Sequence, residues 1–285
     1  MLKGGLVSIQ EALPHLKPSE RKVAEYVLAH PEQVVSCSVQ KLASLTDVSE
    51  ATIVRFSRTL KCKGFQELKL RIAYDLNNED DPNDSYEEIT MDGPVHSLIR
   101  SVSRNNMQSI KDTLSVLSEE ETGKAIERLR AARKIAVYGI GASAVIAGDF
   151  KQKLTRIDRW CEAGFGFDEQ ATISANLDKR DVVLGISNSG QTVDIIEALS
   201  IAKENGASVI SLTRFGDNPV SQLADVTLFA SSLEKRFRSG AMSSRISMLN
   251  VVDILYIGIA SENYEESIEK LENTRKAVSP AKKDV

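Results

Sequence analysis

Hydroxyl-bearing residues and a glycine dominate the segment Ser187-Asn188-Ser189-Gly190-Gln191-Thr192, which follows the apolar run Val182–Ile186 and precedes a helical pattern over 193–204. A strand that enters a helix through such a turn presents free backbone N–H groups and hydroxyls, which together bind an anion. The segment contains no lysine and does not match GxxxxGK[ST], so it is not a nucleotide P-loop. Its chemistry suits one small phosphate, although helix capping alone also explains a single turn of this kind.

A second turn of the same type favours the phosphate interpretation. The strand-like run Ile135–Tyr138 leads into Gly139-Ile140-Gly141-Ala142-Ser143, and a helical pattern then continues to about Leu154. Ligands of open α/β sheets bind at the carboxyl edge of the strands. We therefore expect the hydroxyls of the two turns to lie side by side at that edge. The pair Gly139-x-Gly141 is not followed by the third glycine of a dinucleotide fingerprint.

Three segments carry a resemblance to a known family: VYGIGASA, GISNSGQT and SLTRFGDNPVSQLADVTL. They resemble the sugar isomerase (SIS) phosphosugar-binding domain over about residues 129–260. The resemblance implies that the phosphate is held by the side chains of Ser143, Ser187, Ser189 and Thr192 and by backbone donors of Asn188, Gly190 and Gln191. Further candidates for contact with the phosphosugar are Gly141, Asp168, Glu169 and Arg245. Arg245 could equally pair with an acid.

Composition and charge divide the chain into segments. A chain of 285 residues with 42% hydrophobic content is long enough for two domains. The formal net charge of −4 is uneven, because residues 78–94 contain seven acids and no base whereas residues 1–77 carry a net charge of +3. We predict a helical domain over 1–77, an acidic linker over 78–94, and a second domain over 95–285 that begins with helices.

Neither an export signal nor a cofactor site is expected. We find no apolar run of transmembrane length, and the start MLKGGLVSIQ is not a signal peptide, which favours a cytoplasmic protein. The cysteines Cys37, Cys62 and Cys161 are scattered without a CxxC pair, so we expect reduced structural thiols. We predict no metal and no cofactor.

The pattern in 38–60 predicts a helix-turn-helix. Ser38 begins a short helical pattern, Thr46-Asp47-Val48 forms a turn, and Ser49 caps a longer helix whose polar residues face solvent. The second helix would enter the major groove of DNA. The candidate DNA contacts are Ser49, Glu50, Ala51, Thr52, Arg55, Arg58, Lys61 and Lys63. Such helix triplets also serve as protein-interaction modules, so an adaptor remains an alternative.

The N-terminal segments LKPSERKVAEYVLAHPEQV and SVQKLASLTDVSEATIVRFSRTLKCKGFQELKLRI resemble the DNA-binding domain of RpiR-type bacterial regulators. That family also carries a C-terminal SIS domain, so the two resemblances cover nearly the whole chain in the family's own order. They imply a transcriptional regulator, expected to be a repressor, with operator DNA, a phosphosugar effector and a homodimer or homotetramer as partners. Within the family, the chain looks closest to the MurR-like regulators of amino-sugar and N-acetylmuramic acid use.

The expected fold is an all-α helix-turn-helix domain followed by an α/β SIS domain. Strand-like runs alternate with helical patterns after residue 134, which predicts a doubly wound parallel sheet with helices on both faces. Strands are predicted over 134–138, 159–161, 182–186, 208–212 and 226–230. A buried apolar helix is predicted from about Ala241 to Ala260.

The need for a catalytic base distinguishes a phosphosugar isomerase from a non-enzymatic phosphosugar sensor. An aldose–ketose isomerase must remove a proton beside a carbonyl group. All three histidines precede the SIS-like segment, and the residue nearest to the glutamate base that the resemblance implies is Asp253, which we expect to be buried and structural. No catalytic residues are predicted, and a non-enzymatic sensor is favoured. The alternative is a phosphosugar isomerase or etherase with an added helical domain.

Overall fold

A computed structural model describes residues 4–77, 86, 93–231 and 241–278 of the chain. Its contacts divide the chain into two compact units. The first unit comprises Met1–Leu117, Arg214–Asp217 and Phe229–Ser247, and the second comprises Ser118–Thr213, Asn218–Leu228 and Met248–Val285. The predicted acidic linker and the last seven residues lie outside the described residues, apart from 86, 93 and 94 of the linker.

Helices form the first unit. They are α1 (Gly5–Ala12), α2 (Pro18–Ala29), α3 (Pro31–Ser36), α4 (Val39–Thr46), α5 (Glu50–Thr59), α6 (Phe65–Asn77) and α7 (Val95–Val116), with one 3₁₀ turn at Leu13–His15. The apolar residues of α1 to α6 form a common core that includes Ile9, Val27, Leu42, Phe56 and Leu68. The all-α prediction for this part of the chain is confirmed.

The caps of the helix-turn-helix are formed by the predicted serines. Ser38 Oγ accepts a hydrogen bond from Lys41 N at 3.1 Å, and Ser49 Oγ accepts one from Thr52 N at 3.3 Å. Each bond satisfies one of the N–H groups that the first turn of a helix leaves without a partner. Asp47 ends α4 in the left-handed conformation, with φ of 52°. The predicted turn between α4 and α5 is therefore confirmed.

Helix α7 buries its polar face and exposes its apolar face, which is the reverse of the usual pattern. Its buried residues are mostly polar, namely Ser101, Asn105, Ser109, Asp112, Thr113 and Val116. Side chains of the apolar stripe face outward instead, with Ile99 64% and Met107 60% exposed. Thr113 is one reason, because its hydroxyl accepts a hydrogen bond from Ser231 N at 3.0 Å. A helix with an exposed apolar stripe has surface available for a partner.

The second unit contains a five-stranded sheet with the order β2-β1-β3-β4-β5. Its strands are β1 (Ile135–Tyr138), β2 (Cys161–Gly164), β3 (Val182–Ile186), β4 (Ser208–Arg214) and β5 (Val226–Ala230). Its helices are α8 (Glu119–Ala131), α9 (Ala142–Arg156), α10 (Phe167–Ser174), α11 (Val193–Glu204), α12 (Pro219–Leu223), α13 (Met242–Ala260) and α14 (Tyr264–Val278), where α13 begins in the first unit. The parallel sheet flanked by helices confirms the predicted α/β class.

The edge strand β2 begins later than predicted. Cys161 is the first residue in register with β1, opposite Ile135. Arg159 is not part of the strand, because its Nη2 donates to main-chain carbonyls at the end of α8, including that of Arg130 at 2.6 Å. The last carbonyl groups of a helix receive no hydrogen bond from within the helix. A cationic side chain that donates to them therefore stabilises the helix end.

Only half of a capping box forms at the start of α8. Ser118 Oγ accepts a hydrogen bond from Glu121 N at 3.3 Å, as expected for an N-cap. The carboxylate of Glu121 does not complete the box, because it accepts from Lys124 Nζ at 2.9 Å and from Thr227 N at 3.2 Å. Glu121 therefore ties α8 to β5 instead of to its own cap.

The expectation that no apolar run reaches transmembrane length is wrong for α13, whose 19 residues are long and apolar enough by length and composition alone. That evidence is weak, because the core helix of a folded domain passes the same test. Val251, Val252 and Leu255 of α13 are fully buried, as such a helix requires.

Thiol accessibility tests the packing of both units. Burial raises the pKa of the Cys62 thiol to about 11 and that of Cys161 to about 12, whereas Cys37 is partly exposed. Since the thiolate is the reactive form, a disulfide reagent at pH 8 should label Cys37 alone in the folded protein and all three cysteines in denaturant. Rapid native labelling of Cys62 or Cys161 would contradict the described packing.

Candidate functional site

The two hydroxyl-rich turns leave the sheet at its topological switch point. From β1 the chain crosses to β2 on one side and then returns to β3 on the other. Tyr138 of β1 lies opposite Gly185 of β3, so both strands end at the same edge. The crevice outside such a pair of strand ends is the usual ligand position in open α/β sheets.

The SxSGxT turn between β3 and α11 is internally hydrogen-bonded. Ser187 Oγ lies 3.0 Å from Thr192 Oγ1, and Gly190 N donates to Ser187 Oγ at 3.1 Å. Gln191 N donates to Ser189 Oγ at 3.2 Å. The turn thus brings the predicted phosphate-binding hydroxyls of Ser187 and Thr192 together at the start of α11, and Ser189 lies in the same turn.

Asn218, the N-cap of α12, supports this turn. Gly190 has φ of +64°, and a Cβ atom there would lie 2.0 Å from Asn218 Oδ1. Asn218 is fixed by a capping box with Ser221 and by a 3.0 Å hydrogen bond from its Nδ2 to Thr213 Oγ1. Gly190 O also accepts from Val220 N at 3.1 Å. An Asn-Pro pair followed by serine at the third helical position is the signal that predicts such a cap.

The turn after β1 is equally tight. A Cβ atom at Gly139 would lie 2.4 Å from the carbonyl oxygen of Ser143, so this position requires glycine. Gly141 precedes α9 with φ of +60°, and Ser143 lies half-buried in the first turn of that helix. The predicted position of Ser143 at a helix N-terminus beside the switch point is therefore observed.

The local electrostatics favour an anion bound through hydrogen bonds. Helices α9 and α11 both begin at this edge, and their N-terminal N–H groups carry partial positive charge. Asp194 in the first turn of α11 opposes this effect. Asn188 Oδ1 is buried and accepts no hydrogen bond from the residues that the structure describes, so it is an acceptor suited to a ligand hydroxyl.

Three further residues predicted to contact the ligand, Asp168, Glu169 and Arg245, lie on α10 and α13. Asp168 and Glu169 are exposed at the start of α10 and line a cavity of about 390 Å³ with Lys151. Glu169 Oε2 accepts from Phe165 N at 2.9 Å and so stabilises its own turn. Arg245 lies half-buried in the first turn of α13, in the first unit.

The expectation that Asp253 is buried is wrong. Its side chain is 54% exposed and forms an ion pair with Lys153, which also pairs with Asp149 at 2.5 Å. Although partial burial of Lys153 acts in the opposite direction, both carboxylates hold its pKa above the usual value. Within the described ranges, no group of three or more His, Cys, Asp or Glu side chains is arranged to hold a metal ion.

The helix-turn-helix presents most of its predicted DNA contacts, with one correction. Glu50 and Ala51 are exposed at the start of α5, as expected. Thr52 is buried, so its predicted exposure to solvent is wrong. Its hydroxyl lies 3.0 Å from Ser49 Oγ and 3.4 Å from Arg55 Nη2, so it acts inside the helix start.

The basic residues of this region differ in their partners. Arg55 Nε donates to the buried Glu20 of α2 at 3.0 Å. Lys61 is engaged by Asp217 at 2.6 Å. The side chains of Arg58 and Lys63 are exposed, and neither forms an ion pair with a described residue. The last two are therefore the cations most available to DNA phosphates.

Family comparisons agree with the two-part organisation. The model of the helix-turn-helix domain of the rpiR family matches residues 3–79, and the SIS domain model matches residues 128–258. The HTH-type transcriptional regulator TTE0211 of Caldanaerobacter subterraneus is 44% identical over 97% of this chain and 98% of its own length. YbbH of Bacillus subtilis, also an HTH-type transcriptional regulator, is 39% identical over 98% of both chains.

Two solved structures match this chain, one over nearly its whole length and one over its second part. The Vibrio vulnificus NanR protein complexed with ManNAc-6P matches with a TM-score of 0.61 at 25% identity, covering 97% of this chain and 99% of NanR. The sugar isomerase domain of an RpiR transcription factor from Sphaerobacter thermophilus matches with a TM-score of 0.58 at 25% identity, covering 63% of this chain and 99% of that domain.

Alanine substitution at Gly190 tests the close approach to Asn218. Because Gly190→Ala adds a strained φ and a steric clash, we expect it to lower the free energy of unfolding by about 2 kcal/mol or more. Gly123→Ala in α8 is the control, since a Cβ there meets nothing within 4 Å. Chemical denaturation measures both variants, and equal stability of the two would contradict the described turn.

Proposed function

Because this chain belongs to the RpiR family of HTH-type transcriptional regulators, we propose that it is a repressor of sugar or amino-sugar catabolism genes that senses a phosphosugar. The helix-turn-helix binds operator DNA, and the SIS domain binds the effector without turning it over. Occupancy of the SIS site changes how subunits pack and thereby changes operator affinity. We place this activity in the cytoplasm, where operator DNA and phosphorylated sugars coexist.

One observation carries the proposal for the SIS domain. The hydroxyls of Ser187 and Thr192 meet at 3.0 Å in a turn at the switch point, where α11 begins. A phosphate at this position accepts hydrogen bonds from hydroxyls and helix N–H groups without needing a cationic side chain. Among the described residues, the hydrogen-bond partners within this turn are hydroxyls and backbone N–H groups, and this favours binding over catalysis in our proposal.

The effector class follows from two separate lines of support. The resemblance to MurR-like regulators points to amino sugars and N-acetylmuramic acid 6-phosphate. The NanR structure, complexed with ManNAc-6P, points to the same class of N-acetylated amino-sugar 6-phosphates. We therefore propose an amino-sugar or other hexose 6-phosphate as effector, held by Ser143, Ser187, Ser189 and Thr192.

A phosphosugar panel tests the sensor function. A ligand that binds only the native state raises the melting temperature by mass action. We expect one selective increase among hexose 6-phosphates, ManNAc-6P and N-acetylmuramic acid 6-phosphate, with no product detected by chromatography. An increase accompanied by turnover would establish the isomerase or etherase alternative. No increase with any phosphosugar would refute the proposed effector site.

Removing two hydroxyls from the SxSGxT turn should separate phosphosugar binding from operator binding. Ser187→Ala with Ser189→Ala removes hydrogen bonds to a charged ligand, so we expect the phosphosugar affinity to fall about 100-fold or more. Operator affinity in the absence of sugar should stay unchanged. The control is Ser200→Ala, because Ser200 lies on α11, which follows the turn, and its hydroxyl donates a hydrogen bond to Ile196 O. An undiminished sugar response of the double variant would move the phosphate site elsewhere.

We further propose that the chain functions as a homodimer or homotetramer in which the exposed stripe of α7 is covered. A dimeric helix-turn-helix protein reads two half-sites about 34 Å apart, which one recognition helix cannot span. Exposed apolar side chains that recur along one helix, such as Ile99 and Met107, are typical of interaction surfaces.

Charged substitutions on this stripe should reduce the oligomer. Ile99→Glu with Met107→Glu places two carboxylates in the apolar contact, so we expect light scattering to report the 31.3 kDa mass of one chain. Leu70→Glu is the control, since Leu70 is an exposed apolar residue on α6. An unchanged multimeric mass in the double variant would show that the stripe is not the contact.

A further inference from the structure

An acidic side chain lies on the apolar face of α2. Glu20 shares this face with Val23, Ala24 and Val27, which are fully buried, and its own side chain is only 5% exposed. A carboxylate in such surroundings is strongly destabilising unless a cation or several hydrogen bonds compensate it. The compensation comes from the recognition helix α5, where Arg55 Nε donates to Glu20 Oε1 at 3.0 Å.

This contact fixes the orientation of the Arg55 guanidinium. The group is planar, so a hydrogen bond at Nε determines the plane in which its terminal nitrogens lie. Arg55 Nη2 also lies 3.4 Å from Thr52 Oγ1, which is itself 3.0 Å from Ser49 Oγ. Half of the side chain remains exposed, so its remaining N–H groups are available for an outside acceptor.

The pairing changes which acceptor suits Arg55. A phosphate is attracted mainly by net charge, and the Glu20 carboxylate cancels much of the charge on Arg55. A guanine edge instead requires two directed N–H groups that reach O6 and N7 together, which a fixed guanidinium provides. Arg58 and Lys63 are exposed and form no ion pair with a described residue, so they are better suited than Arg55 to phosphates.

We propose that Glu20 is a positioning residue that holds Arg55 for bidentate contact with a guanine base, so that this pair determines part of the operator sequence. The inference rests on the DNA-binding function of the helix-turn-helix. It assigns sequence discrimination to Arg55 and sequence-independent affinity to Arg58 and Lys63. Glu20 acts on specificity although it does not touch DNA.

The test uses the full chain and a duplex selected by the wild-type protein from a randomised pool. Guanines of that duplex are replaced one at a time by 7-deazaguanine, which lacks the N7 acceptor, and affinities are measured by fluorescence anisotropy. Wild-type protein should lose about tenfold in affinity at one guanine of each half-site. A scrambled duplex measures the sequence-independent affinity at several salt concentrations.

Two substitutions of Glu20 separate orientation from charge. Glu20→Leu fills the apolar site but removes the acceptor for Arg55. Replacing guanine by 7-deazaguanine should then no longer reduce the affinity of this variant, and its affinity for the selected duplex should fall about tenfold. Glu20→Gln keeps an oxygen that can accept from Arg55 Nε and should restore the wild-type pattern. Glu25→Gln is the matched control on the exposed side of α2, where Glu25 pairs with Arg21.

Arg55→Lys tests the guanine contact of Arg55 independently of whether Glu20→Leu folds. This substitution retains the charge but not the fixed pair of directed donors, so replacing guanine by 7-deazaguanine should cost it clearly less affinity than it costs the wild-type protein. Arg58→Ala should weaken both duplexes and reduce the salt slope by about one. An undiminished loss of affinity at 7-deazaguanine in Arg55→Lys or Glu20→Leu would overturn the proposal. Failure of the wild-type protein to bind any duplex would instead refute the DNA-binding function itself.

Discussion

The parallel pairing of β1 with β3 is the constraint on which the ligand site depends. Its register places Tyr138 opposite Gly185, so two strand-to-helix turns leave neighbouring strands at one edge. Both strands are buried along their whole length, and a slip of one residue would turn every side chain to the opposite face. The apolar core therefore fixes the relative position of hydroxyls that belong to distant parts of the chain.

Helix capping by short polar side chains organises both units. In the first, Ser49 caps the recognition helix and its hydroxyl also meets Thr52, which in turn contacts Arg55. In the second, the capping box of Asn218 supports Gly190, and the hydroxyls of Ser187 and Thr192 meet just before α11. Serine satisfies an N–H group at the start of the recognition helix, whereas α9 and α11 begin without a side-chain cap, which leaves N–H groups at their starts for an anion.

Local patterns predicted much of this structure, and long-range contacts account for what they missed. The caps at Ser38 and Ser49 and the apolar strands follow from neighbouring residues, so sequence sufficed for them. The polar buried face of α7 and the pairing of Glu20 with Arg55 depend on partners far along the chain. A charged residue on the apolar stripe of α2 was nevertheless a readable signal that a cation must approach it.

The proposed coupling between effector and operator is tested most directly by thermodynamic reciprocity. If a phosphosugar changes operator affinity by some factor, the operator must change the affinity for that phosphosugar by the same factor. Calorimetric titration of the full chain with the phosphosugar, with and without saturating operator duplex, gives one factor, and operator titrations with and without sugar give the other. Our account predicts two equal factors of about 5 to 150. Phosphosugar binding that is indifferent to bound operator would contradict it.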